Sequence, residues 1–136
     1  MEQAEAREYL ESHHRAVLAT RRSDGWPQLS PVSCGLDDEG DVVISTRETA
    51  LKTRNVRRDP RVSLVVMDDR FFGKWIQVDG TASVVSLPEA MDGLVDYYRR
   101  VAGEHPDWDE YRAAMERERR VLLVISMERV GPDRSG

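Results

Sequence analysis

Residues 47–67 read RETALKTRNVRRDPRVSLVVM, and the change of pattern inside them decides the fold. Leu51, Asn55 and Arg58 recur at helical spacing, and Thr46 or Thr49 stands where a cap belongs. Pro60 ends that helix, because the residue before a proline avoids the helical region. From Arg61 to Met67 the chain turns apolar and β-branched, which predicts a buried strand. A short helix thus delivers the chain directly into a sheet.

Outward from this stretch the chain is mostly strands. Ala4–Ser12 reads as a helix. Arg15–Thr20, Gln28–Leu36 and Asp41–Thr46 read as strands, separated by turns at Ser23-Asp24-Gly25 and at residues 37–40. Three such strands predict an antiparallel meander. Beyond Met67, a loop carrying Phe71 and Phe72 leads into a long strand, Lys74–Ser86. There Trp75, Gln77, Asp79 and Thr81 share one side, Ile76 and Val78 the other, and Gly80 marks a bulge. Pro88 marks the start of a helix over Glu89–Val101 with Met91, Leu94, Val95, Tyr98 and Val101 at helical spacing, and Gly103 closes it. A polar helix follows over residues 106–118, with Trp108, Tyr111 and Met115 on one stripe. Val121–Ser126 is a final core strand, extendable to Val130. Six strands and four short helices predict a mainly β protein, an antiparallel barrel with peripheral helices. One domain over residues 1–131 and a mobile tail over 132–136 are expected.

Composition limits the function. Residues 47–61 hold six basic and two acidic residues, a balance of +4 in a chain of net charge −5, leaving −9 for the rest. That overall charge disfavours non-specific nucleic-acid binding. With 40% hydrophobic and 33% charged residues, the core is small or is completed by a second copy. The single cysteine excludes an internal disulfide. The charged N-terminus is no signal peptide, and no apolar run spans a bilayer, so a cytoplasmic protein without a membrane partner is expected.

The basic island has two readings. It is a solvated charged helix, or it is an anion site in which free amides and the dipole at the helix start combine with Lys52, Thr53, Asn55 and Arg58. His13, His14 and His105 read as surface or structural residues, and Cys34 as a small core residue. Trp75 and Gln77 suit either a sheet surface or the edge of a planar ring. Ser30, Ser33, Ser45 and Thr46 either satisfy backbone groups or line a pocket. No dinucleotide, Walker or hydrolase motif occurs, and no metal site is expected.

The segments VLATRRSDGWPQLSPV (17–32), KTRNVRRDPRVSLVV (52–66), QVDGTASV (77–84) and YYRRVAGEHPDWDEYRAAMERERRVLL (97–123) resemble the split β-barrel flavin- and deazaflavin-binding family typified by pyridoxamine 5′-phosphate oxidase. The chain is most similar to a subgroup of small actinobacterial F420-dependent enzymes. The resemblance implies a six-stranded antiparallel split barrel and a homodimer with two shared cofactor sites. It implies that Lys52 holds the cofactor phosphate, assisted by Leu51, Asn55 and Arg58. Gln28, Ser30, Pro31 and Val32 would pass beneath the ring, and Ser45 and Thr46 would line the phosphate and ribityl region. Trp75 and Gln77 would arrive from the partner subunit. Ala50 stands where many relatives carry an arginine, and Gln28, Ser33 and Trp75 depart from the oxidase pattern. These departures favour F420 over FMN. The expected activity is hydride transfer between F420 and a small electron-poor molecule. An FMN-binding oxidoreductase and a non-catalytic ligand-binding protein are the alternatives.

Overall fold

The computed structural model describes residues 1–132. Four helices, α1 (Gln3–Leu10), α2 (Leu51–Arg58), α3 (Met91–Ala102) and α4 (Trp108–Arg117), decorate seven strands. The strands are β1 (Arg15–Arg21), β2 (Pro27–Ser33), β3 (Gly35–Leu36), β4 (Val42–Arg47), β5 (Arg61–Met67), β6 (Trp75–Val85) and β7 (Arg120–Gly131). They form one antiparallel sheet in the order β2-β1-β5-β6-β7-β4-β3. The edge strands β2 and β3 are separated in the chain by Cys34 alone, so the sheet curls to bring its two ends together.

That curl corrects two expectations. Gln28–Leu36 is not one strand but two, and the three-strand meander fails, because β4 pairs with β3 and β7 rather than with β2. The break has a local cause. The Cys34 amide turns to the His14 carbonyl at 2.8 Å. Gly35 then packs so closely on α3 that an added Cβ would lie 3.3 Å from Val101. The bulge expected at Gly80 is present between Asp79 and Gly80. A Cβ on Gly80 would stand 2.2 Å from the Ser126 carbonyl oxygen, so only glycine fits.

β4 and β7 are covered on both faces, which explains their unbroken apolar runs. On one face Val42, Ile44, Leu123 and Ile125 join Leu18, Leu64, Val66, Ile76 and Leu10 of α1. On the other, Val43 and Leu122 pack under Leu94, Val95, Tyr111 and Met115 of α3 and α4. Each such side chain contributes about 1.5–3 kcal/mol by leaving water. α3 starts at Met91, two residues later than expected, after a turn in which the Ala90 amide bonds Ser86 O at 2.9 Å. α4 is capped by Asp107, which accepts from the Glu110 amide. The tail expected over 132–136 lies, apart from Pro132, outside the described residues. No described helix is long and apolar enough to cross a membrane.

Candidate anion- and cofactor-binding site

α2 begins without a side-chain cap. Ala50 is its N-cap, whereas Thr46 is buried in β4 and Thr49 sits in the preceding turn. The Thr53 and Arg54 amides reach the Ala50 carbonyl at 3.1 and 3.2 Å. Among the described residues, the Leu51 and Lys52 amides have no acceptor. The Thr53 hydroxyl donates to Arg47 O at 2.7 Å and clamps the helix start onto the end of β4. Two free donors and the positive dipole end therefore sit beside Lys52.

Most of the island's cations are already engaged. Arg57 pairs with Glu48 at 2.8 Å, Arg61 with Asp59 at 2.8 Å and Arg47 with Glu118 at 3.6 Å. Arg58 donates to Arg21 O at 2.6 Å and Asn55 Oδ1 at 3.0 Å. Among the described residues Lys52 has no ion pair and no side-chain hydrogen bond, although it is half-buried. Burial, and then the neighbouring Arg120 guanidinium, lower the Lys52 pKa from its ordinary value. A partly desolvated ammonium facing a second cation is relieved when an anion arrives.

Sequence reasoning missed Arg120, whose charge acts on Lys52, and Tyr97, which neighbours Arg120. Arg120 opens β7, paired in register with Arg47. Its Nε and Nη2 donate to Glu118 Oε1 at 3.2 and 2.9 Å, which holds that carboxyl below its usual range. Tyr97 of α3 donates its hydroxyl to Ser33 O at 2.8 Å. Burial raises the Tyr97 pKa, and Ser45 and Arg120 work against that rise. Arg120 lies in the quoted ERERRVLL segment, but nothing in that run of charges singles it out.

A second polar cluster ties α2 to the sheet. Buried Asn55 donates through Nδ2 to Thr20 Oγ1 at 3.0 Å, and Thr20 donates to Gln28 Oε1 at 3.4 Å. Ser30 Oγ reaches the same oxygen at 3.3 Å. Gln28, Ser30, Asn55 and Arg58 are thus brought together, but Thr53 and Asn55 spend their polar groups on the protein. Gln28, Ser30 and Val32 share one face of β2, opposite Thr20, Leu18 and Ala16, while Pro31 faces the other way, opposite Val17. Leu51 remains 49% exposed. Ser45 shares the α3-facing side of β4 with Val43, and Thr46 points to the opposite side.

Trp75 and Gln77 lie on the exposed face of β6. Gln77 is opposite Gly131 at one end of β7, whereas Arg120 begins the other end. The eleven intervening steps correspond to roughly 35 Å along the strand. A groove of about 440 Å³ on that face is lined by Ser63, Gln77, Asp79 and Arg129 among others, not by Lys52. Lys52 and Gln77 thus line different regions of the chain's surface.

The remaining candidates are structural. His13 stacks on Tyr9 at 3.8 Å, His14 bonds Cys34 O, and His105 accepts from the Asp107 amide inside a knot of Tyr98, Trp108 and Tyr111. Burial pushes the Cys34 thiol up to about 12. Among the described residues no three His, Cys, Asp or Glu side chains cluster to hold a metal.

A curled antiparallel sheet with an unpaired lysine at a helix start defines a class, and comparison with known proteins supplies its name. Residues 3–132 match the pyridoxamine 5′-phosphate oxidase family, and the chain belongs to it. A conserved hypothetical protein from Mycobacterium tuberculosis is 28% identical, with a TM-score of 0.78 over 96% of this chain and 82% of that one. An F420 reductase is 22% identical (TM-score 0.72, covering 91% and 94%). A heme storage protein from Vibrio cholerae is 20% identical (TM-score 0.72, covering 94% and 92%). The last two likenesses show the fold alone.

Proposed function

We propose that this protein is an F420-dependent oxidoreductase, working as a homodimer with two shared sites and reducing a small electron-poor molecule. One observation carries the reading: the Lys52 ammonium is half-buried beside Arg120, without a counter-ion, at the uncapped start of α2. Such a position suits a phosphoryl group, which F420 and FMN both carry. The departures from the oxidase pattern at Gln28, Ser33 and Trp75 favour the deazaflavin, and an F420 reductase shares the fold.

Bound F420 would supply the hydride. The chain's own residues bind and orient it. Lys52, with the Leu51 and Lys52 amides, holds the phosphoryl group. Gln28, Ser30 and Val32 support the ring, with Ser45 beside the linker. Asn55 and Arg58 fix α2 on the sheet. The strand-length separation of Gln77 from Lys52 supports a second copy, so that Trp75 and Gln77 of the partner subunit cover the ring and exclude water.

Fluorescence titration of the purified protein with F420 tests this reading. Binding in the micromolar range, lost in Lys52→Ala, is expected. Failure at tens of micromolar while FMN binds would transfer the site to a flavin. Binding without turnover of any acceptor would make the protein a cofactor carrier. A monomer by light scattering would remove the shared site.

A further inference from the structure

We propose that Glu118 is the internal counter-anion of a three-cation site formed by Arg47, Lys52 and Arg120, and that a phosphate-bearing ligand binds by competing with Glu118 for Arg120. This deepens the reading of Lys52 as a phosphate ligand and rests on it. The in-register pairing of Arg47 with Arg120 puts both guanidinium groups at one end of the sheet. The Thr53 bond to Arg47 O brings the start of α2 to the same end. Glu118, in the turn between α4 and β7, meets both arginines with one oxygen, Oε1, at 2.9 Å from Arg120 and 3.6 Å from Arg47.

Three positive charges therefore share one negative charge, leaving a local excess of +2. The Arg120 and Glu118 side chains are only 26% and 31% exposed, so solvent screens them incompletely. Arg120 offers a guanidinium fork that matches a phosphoryl group as well as it matches a carboxylate. The chemistry recognised is a phosphoryl group in a ligand carrying about two negative charges. A phosphomonoester supplies both on one group, and a phosphodiester with a nearby carboxylate supplies one on each. Glu118 neutralises the arginines until such a ligand takes its place.

The test is calorimetric titration of the intact protein with inorganic pyrophosphate. Glu118→Gln is expected to bind about fivefold more tightly, because a like charge beside the ligand is gone. Arg120→Gln should bind about tenfold more weakly, and Arg120→Lys should recover part of the loss. A Glu118 that merely held the turn together would weaken binding when changed. Glu118→Gln that binds no tighter, or Arg120→Gln that binds as the wild type does, overturns the proposal. Should Glu118→Gln not fold, the arginine pair decides by itself. FMN and F420 titrated in parallel separate the two sources of the phosphoryl group. If pyrophosphate follows the expected pattern and neither cofactor binds, the anion site stands and the functional reading falls. If Lys52→Ala binds pyrophosphate as the wild type does, both fall.

Discussion

Lys52→Met should make the ligand-free protein more stable while abolishing its anion binding. Methionine keeps most of the stem and removes a charge that burial and Arg120 both disfavour. Two neighbouring like charges at a partly exposed site repel by about 0.5–1 kcal/mol once solvent screening is counted. A domain of 136 residues unfolds with an entropy of about 0.29 kcal/mol/K, so Tm should rise by about 2–3 °C. The pH dependence adds a check. The folded-state pKa of Lys52 lies below its unfolded value, so between the two the unfolded chain holds more protons and wild-type stability climbs with pH. The advantage of Lys52→Met should therefore shrink as pH rises through that window towards about 10.4, the unperturbed lysine pKa. Urea unfolding at neutral and alkaline pH, with and without pyrophosphate, measures all of this. Pyrophosphate at about 100 times its Kd should add about 2.7 kcal/mol to the wild type and nothing to the variant. A variant less stable than the wild type by more than about 1 kcal/mol at pH 7 would refute the reasoning, because the ammonium would then be holding the fold together.

Three further outcomes follow from the packing. Asn55→Ala removes the bonds to Thr20 and Arg58 at a buried position and should cost about 2–3 kcal/mol in urea unfolding, loosening α2 from β1. Gly80→Ala forces a Cβ against Ser126 O and should cost more than about 2 kcal/mol in thermal melts, or shift the β6–β7 register. Cys34 should resist a thiol reagent at pH 8 in the folded protein and react fully in urea, since burial holds its thiol near 12.

Much of the architecture was legible locally. The alternation in β6, the helical spacing in α3 and α4, and the stop at Pro60 each depend on a residue's near neighbours. Other features were not. The apolar run Val121–Ile125 looked like any core strand, and only the packing of α3 and α4 on it revealed that both of its faces are covered. Gln28–Leu36 has an alternation that continues past Cys34, so its division required knowing that Gly35 meets Val101 of α3 and that the Cys34 amide meets His14.

The candidate site divides in the same way. Lys52 stood out because a cationic segment in an acidic chain is visible in composition, and the family motif gave it a role. Its neighbour Arg120 lies 68 residues further along the chain, and nothing local marks it. The sequence alone determined which residues could form strands, helices and a basic island, because propensity, periodicity and charge are properties of short segments. Only the tertiary structure decided that Lys52 is half-buried and left without a counter-ion. Counter-ions are assigned by distance in space: the pairing of β4 with β7 brings Arg47 to Glu118, which its chain neighbour Arg120 already holds, and Lys52 is left without one.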